Sequence, residues 1–247
     1  MSIRRIRAIA SKDLRDAWRD GRVATMLVFP VLGSWAVAKL NGEVPAAPAG
    51  ADAAAAIGPL FGGLFAVVLV VVFVGLMVVP IQTAEELETG TYGALRLAAS
   101  EPEILSAKAL VGYAYAAVGA AITVALTGLP VDSLPQLAAA TAALIVTLVG
   151  FGLLLGLLVR NAGALNAYGG LLVFPVLGAA GAAFAVDSGI IRMVLDVLPF
   201  SHSVRLLTDG VSPRPVFDTG PCSWLVILAW ALAGYALLAL VATRQEL

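Results

Sequence analysis

IGPLFGGLFAVVLVVVFVGLMVVPI, residues 57–81, is a run of 25 residues without a charged, amide or hydroxyl side chain. As a helix it would rise roughly 37 Å at 1.5 Å per residue, more than the ~30 Å hydrocarbon core of a bilayer. A strand of a membrane barrel alternates apolar and polar residues, whereas residues 64–74 are apolar on every side, so a spanning helix is the reading. The rest of the chain is of the same kind. Of its 247 residues 60% are hydrophobic and 13% charged, with mean hydropathy +0.97, against about 25% charged in a soluble domain.

Scanning outward for windows of about 20 apolar residues gives six spans: Val23 to Leu40, Ile57 to Ile81, Ala107 to Leu129, Leu137 to Val159, Ala162 to Val186 and Ser223 to Ala242. The first follows a long charged segment and precedes no small-residue cleavage site, so it is expected to stay as a span and not to be removed as a signal peptide. Eleven basic residues (Arg4, Arg5, Arg7, Lys12, Arg15, Arg19, Arg22, Arg96, Lys108, Arg160 and Arg244) fall on the side of the termini. Four (Lys39, Arg192, Arg205 and Arg214) fall on the other. The positive-inside rule then puts both termini in the cytoplasm.

Residues 1–22 read as an amphipathic interface helix. Ile6, Ala10, Leu14, Ala17 and Trp18 recur at spacings of 3 or 4, while Arg5, Lys12, Arg15 and Arg19 lie largely elsewhere around the helix. Such a helix is expected on the inner membrane surface, attracted to anionic lipid; the plainer alternative is a topology signal alone. In the outer segment 187–222, Ile190, Val194, Val197 and Leu198 share one face and Arg192 and Asp196 another, the pattern of a short helix resting in the interface. A second short helix is expected over Ser201 to Asp209, stopped by Gly210 and Pro213, with Arg205 and Asp209 spaced to pair. A structural lid is the default role. Gly58 with Gly62, and Gly152 with Gly156, have the spacing that lets helix backbones approach, whether within one subunit or between two.

The candidate working segment is the inner loop 83–106. Gly90 can end the helix leaving the membrane, and Thr91 can cap a short new one in which Tyr92, Leu95 and Ala99 share an apolar face. Ser100 with Glu103 fits a capping box, and Pro102 suits the first turn of the next helix. With Glu85, Glu86 and Glu88 beside it, this stripe suits docking of another protein on the inner face; a solvated loop is the bland alternative. No ionisable residue lies at the middle of any span, so the relays of ion-coupled transporters are not indicated. The chain has no phosphate-loop motif and no Ser/His/Asp arrangement, and the lone His202 and lone Cys222 cannot by themselves make a metal site or an internal disulfide. Both read as structural. No catalytic or metal residue is therefore assigned.

Four stretches together resemble the type-2 ABC exporter permeases: Lys12-Asp13-Leu14-Arg15-Asp16 before Arg19 and Arg22, Phe29-Pro30, Glu86-Leu87-Glu88-Thr89-Gly90-Thr91, and Glu103-Ile104-Leu105-Ser106-Ala107-Lys108. The likeness rests on their order over essentially the whole chain. A proline common near Ala98 or Ala99 in that family is missing, and Pro102 is expected to take a similar part. The resemblance implies an interface helix carrying Ile6, Lys12, Leu14, Arg15 and Trp18, and a coupling helix served by Glu86, Glu88, Gly90, Thr91, Tyr92 and Leu95. It also implies a separate nucleotide-binding subunit that holds ATP and Mg, so that no cofactor sits on this chain. A second permease copy or paralogue and membrane lipids complete the partners, with no nucleic acid.

The expectation is an all-α integral membrane protein of six transmembrane helices, residues 23–247, with an N-terminal amphipathic interfacial helix and short outer helices before the last span. It would export a substrate across the cytoplasmic membrane. The rival reading is a membrane assembly or signalling subunit without transport.

Overall fold

The computed structural model describes residues 1–21, 53–185, 189–212 and 219–244, with positions 28, 31–33, 35, 36 and 217. Twelve of the eighteen residues of the expected span Val23 to Leu40 lie outside the described residues, as do the side chains of Ala17 and Trp18. All the described elements are helical. They are α1 (Ile3–Asp20), α2 (Ala53–Phe73), a π-helical turn (Val74–Val78), α3 (Val79–Glu88), α4 (Thr91–Ala98), α5 (Glu101–Thr127), α6 (Leu134–Val159), α7 (Ala162–Ala185), α8 (Gly189–Leu195), α9 (Pro199–Val211) and α10 (Pro221–Arg244). Five stretches among them are long and apolar enough to span: Leu60–Glu88, Glu101–Thr127, Leu134–Val159, Ala162–Ala183 and Pro221–Arg244. They match the second to sixth expected spans.

The continuous apolar run of residues 57–81 proves to be the central helix of the bundle. Val70, Val71, Val72 and Val74 have no exposed surface at all, so no face needed to be polar. Its π turn has a local cause. Pro80 lacks an N–H and its ring crowds the carbonyl one turn back; the ladder widens instead, with the Val79 N–H reaching back to the Val74 carbonyl. The displaced Gly75 carbonyl then points at α6, where a Cβ on Gly152 would lie 1.9 Å from its oxygen. A Cβ on Gly156 would meet Thr83 Cβ at 2.7 Å and the Pro80 oxygen at 2.8 Å. The Gly152/Gly156 pair thus serves packing within the subunit, where α6 crosses α2 and α3 backbone to backbone. Gly62 is buried, while the burial of Gly58 lies outside the described residues.

At one end of the bundle α1 packs against α5; at the other, α9 is wedged among α2, α6, α7 and α10. Both expected outer helices are present, the first as α8 with Ile190, Ile191, Met193 and Val194 exposed. The second, α9, is buried along its length from Pro199 to Val211 except at the half-buried Phe200. Its backbone polar groups and hydroxyls are satisfied locally, as in Thr208 Oγ1 donating to the Val204 carbonyl (2.8 Å), and the Ser133 N–H donates to Gly210 O (2.9 Å). The expected Arg205–Asp209 pair is corrected. Arg205 Nη1 reaches Asp196 at 3.0 Å with its guanidinium over Phe217, whereas Asp209 accepts from the Phe217 N–H (3.2 Å) and from Thr219 Oγ1. Burial would raise the Asp196 carboxyl, but hydrogen bonds and charge from Arg205 and Arg192 outweigh it and hold it below its ordinary value. His202 is buried between Ser223 Oγ (3.0 Å from Nδ1) and the Asp196 carbonyl (2.8 Å from Nε2), a structural histidine as expected. Cys222 is exposed at the start of α10.

Candidate coupling site

The candidate site is built where α3, α4 and α5 turn over beneath α1. Gly90 (φ +74°) adopts the left-handed conformation that suits glycine and ends α3. Thr91 does not cap α4, as the sequence had suggested; it is the first helical residue, and its hydroxyl lies 3.0 Å from that of Thr89. The capping box of Ser100 and Glu103 is formed, with Glu103 Oε2 accepting the Ser100 N–H at 3.0 Å, and Pro102 sits in the first turn of α5.

Between the helices lies a compact group of charges. Lys108 Nζ is 2.7 Å from Glu86 Oε2 and 3.6 Å from Asp13 Oδ2, and its side chain is only 5% exposed. Lys12 adds contacts to Asp13 (3.3 Å), Asp16 (3.4 Å) and Glu86 (3.5 Å). Two lysines therefore face the two inner carboxylates, Asp13 and Glu86, with Asp16 at the outside. Partial burial works against the Lys12 charge, but Asp13 and Glu86 more than compensate and raise its pKa. A second link runs from the first turn of α1 to α5: Glu103 accepts the Ser2 N–H and faces Arg5 Nη1 at 3.6 Å.

These pairs change how the N-terminal helix is understood. Ile6 and Ala10 of the expected stripe pack against the core, Leu14 is 48% exposed, and among the described side chains of α1 the most deeply buried is Ile9. The face of α1 turned to the bundle includes Ile6, Ile9, Ala10 and Asp13, while Leu14 is turned away from it. Arg15 is exposed.

Glu88 works differently from Glu86. Its carboxylate accepts from Asn161 Nδ2 (2.8 Å) and from the Ala162 N–H (3.2 Å), so it sits on the N-terminus of α7, where a negative charge is favoured. The link from α6 to α7 is only Arg160 and Asn161, with Arg160 at φ +51° and Asn161 Oδ1 accepting the Ala164 N–H. Glu86 thus ties the end of α3 to α1 and α5, and Glu88 ties it to α7.

The short helix α4 is fastened from below. Tyr92 is 2% exposed, and its hydroxyl donates to Glu101 Oε1 at 2.6 Å; Arg96 Nε lies 3.2 Å from the other oxygen of Glu101. Burial, then the bond to Glu101, pushes the Tyr92 phenol up, so it remains a donor. Leu95 is half-buried against the core. The Tyr92–Leu95 face is therefore spent inside the chain, which corrects the idea that a partner would cover it. The outward face is Gly93, Ala94, Leu97 and Ala98, with Leu97 93% exposed. Lys108, Asp13, Glu101 and Ile9 were missed as site residues. A lysine in the second turn of an otherwise apolar span was the available signal, because a charge there needs an acid beside it.

A bundle of apolar helices with an amphipathic helix ion-paired across one end defines an all-α, multi-pass membrane protein. The ion pairs of Lys12 and Lys108 and the exposed Leu97 lie at that end. The chain belongs to the ABC-2 type transporter family, whose model matches residues 4–211, from the first turn of α1 to the end of α9. It is thus a permease subunit, the non-catalytic transmembrane component of an ABC transporter. No curated protein sequence matches the chain.

Proposed function

We propose that this permease exports a substrate across the cytoplasmic membrane, driven by ATP hydrolysed with Mg on a separate nucleotide-binding subunit that docks on α4, and that it works beside a second permease copy. The observation that carries this reading is the two-sided character of α4. Its outer face exposes Leu97. Its inner face is held by Tyr92 and Arg96 to Glu101, on the first turn of α5. A push on Leu97 would therefore move α5, and through Glu86 and Glu88 also α1 and α7, as one body. Glu86, Glu88, Gly90, Thr91, Tyr92 and Leu95 form the transmitting side of the site, with Lys12 of α1, and Leu97 forms the receiving side.

Leu97→Asp tests it in proteoliposomes with the ATP-binding subunit. A charge at an apolar anchor should weaken association by about 2 kcal/mol or more, or uncouple hydrolysis from transport, while insertion stays normal because Leu97 is 93% exposed. Wild-type affinity together with wild-type coupling would remove α4 as the docking element. Orientation has its own test in Cys222, which is exposed at the end opposite α1. With the termini in the cytoplasm, a membrane-impermeant maleimide should label Cys222 in intact cells; labelling only after permeabilisation would invert the topology.

A further inference from the structure

The π turn Val74–Val78 stands between the buried α2 and α3, the helix that carries Glu86 and Glu88. An i→i+5 ladder takes in about one residue more than the α ladder over the same stretch. Straightening this turn would therefore rotate α3 by about 100° and advance it by about 1.5 Å. Each residue of α3 would then stand where the next one stands now. Glu85 would replace Glu86 beside Lys108, an acid for an acid. Leu87 would replace Glu88 beside the Asn161 side chain and the Ala162 N–H, an apolar group for an acid.

Hydrogen bonding gives the straight form less than its usual advantage. In the π turn the Val79 N–H goes to the Val74 carbonyl in place of Gly75. In an α ladder it would return to Gly75, but the Leu76 carbonyl would then look to Pro80, which has no N–H. The surroundings suit a helix that turns. Three helices packed on the turn each present glycine to it: Gly112 of α5 to Val79, Gly152 of α6 to the Gly75 carbonyl, and Gly169 of α7 to Met77. Glycine offers no side chain to interlock with, and the unbranched Met77 adapts to a changed neighbour.

We infer that the π turn is a two-position register switch. In the π form α3 holds α1 and α5 through Glu86 and α7 through Glu88; in the straight form Glu85 keeps the hold on Lys108 while Leu87 lets α7 go. Buried Lys108 needs an acid in either register, and two consecutive glutamates supply one. The straight form also moves Glu86 to the half-buried place of Leu87 against the core, a cost that makes the π form the resting one. The inference concerns helices of this chain alone and is independent of the export reading.

The test uses the full chain with Cys222→Ser in liposomes, and reads disulfide formation under copper phenanthroline. Glu88→Cys with Asn161→Cys reports the π register and should close fast. Leu87→Cys with Asn161→Cys reports the straight register and should close more slowly, but to completion. Glu86→Cys with Asn161→Cys, on the wrong side of α3 in both registers, should close at least several-fold more slowly still. Pro80→Ala removes the ring that opposes a straight ladder, so it should speed the 87–161 pair several-fold and slow the 88–161 pair. Glu85→Gln takes away the acid that the straight register offers Lys108, so it should slow the 87–161 pair several-fold. A 87–161 pair that closes no faster than 86–161 would mean a loose helix end and would overturn the switch, as would a rate that ignores Glu85→Gln. Neither result needs Pro80→Ala, so the inference stays decidable if that variant folds poorly.

Discussion

Lys108→Met is expected to cost about 3–5 kcal/mol of stability, the range found when one partner of a buried ion pair is removed. The reason is what stays behind. Asp13 and Glu86 would face each other with only Lys12 between them, and neither could move to water without undocking α1. Adding Glu86→Gln should recover a large part of the loss, because the remaining Asp13 still has Lys12 at 3.3 Å; residues in one network couple by about 0.5–3 kcal/mol. Arg5→Ala is the contrast, since Arg5 is 60% exposed and such pairs are worth about 0–1 kcal/mol. Unfolding of the purified chain in mixed micelles measures all three. Simple additivity of Lys108→Met and Glu86→Gln would show that the charges stand close without acting together.

Gly152→Ala should be the most damaging of the small changes, at about 3 kcal/mol, the upper part of the range for overpacking. The new methyl would sit 1.9 Å from the Gly75 oxygen, and what it meets is backbone fixed by the π turn, with no side chain to rotate aside. Relief requires α6 to move away from α2 over their whole crossing. The same substitution at Gly178 meets nothing within 4 Å, so the helix preference of alanine should make it neutral or stabilising by up to about 1 kcal/mol. A Gly152→Ala protein that unfolds with the wild type would mean the two helices do not touch there.

Composition alone carried the fold class, because a chain this apolar has to satisfy its backbone within helices inside a bilayer. Ends governed by local chemistry were equally legible: Gly90 turns the chain, and Ser100, Pro102 and Glu103 start α5 through contacts made within one turn. The order of short motifs was enough to place the chain among type-2 permeases.

Contacts between distant residues were not written in that local code. Apolar spacing gave α1 a stripe that includes Leu14, but not that the helix also docks on the bundle through Ile9 and Asp13, where Glu86 and Lys108 on two other helices offer the charges that draw Asp13 and Lys12 inward. Tyr92 looked free for a partner until Glu101, nine residues on, was folded back beneath it. Arg205 had Asp209 at a helical spacing, yet its guanidinium goes to Asp196 across the α8–α9 turn. In each case the sequence by itself determined which groups needed a partner. Only the tertiary structure decided which partner, because a buried charge or donor goes to whatever group the packing of the helices brings within about 3 Å.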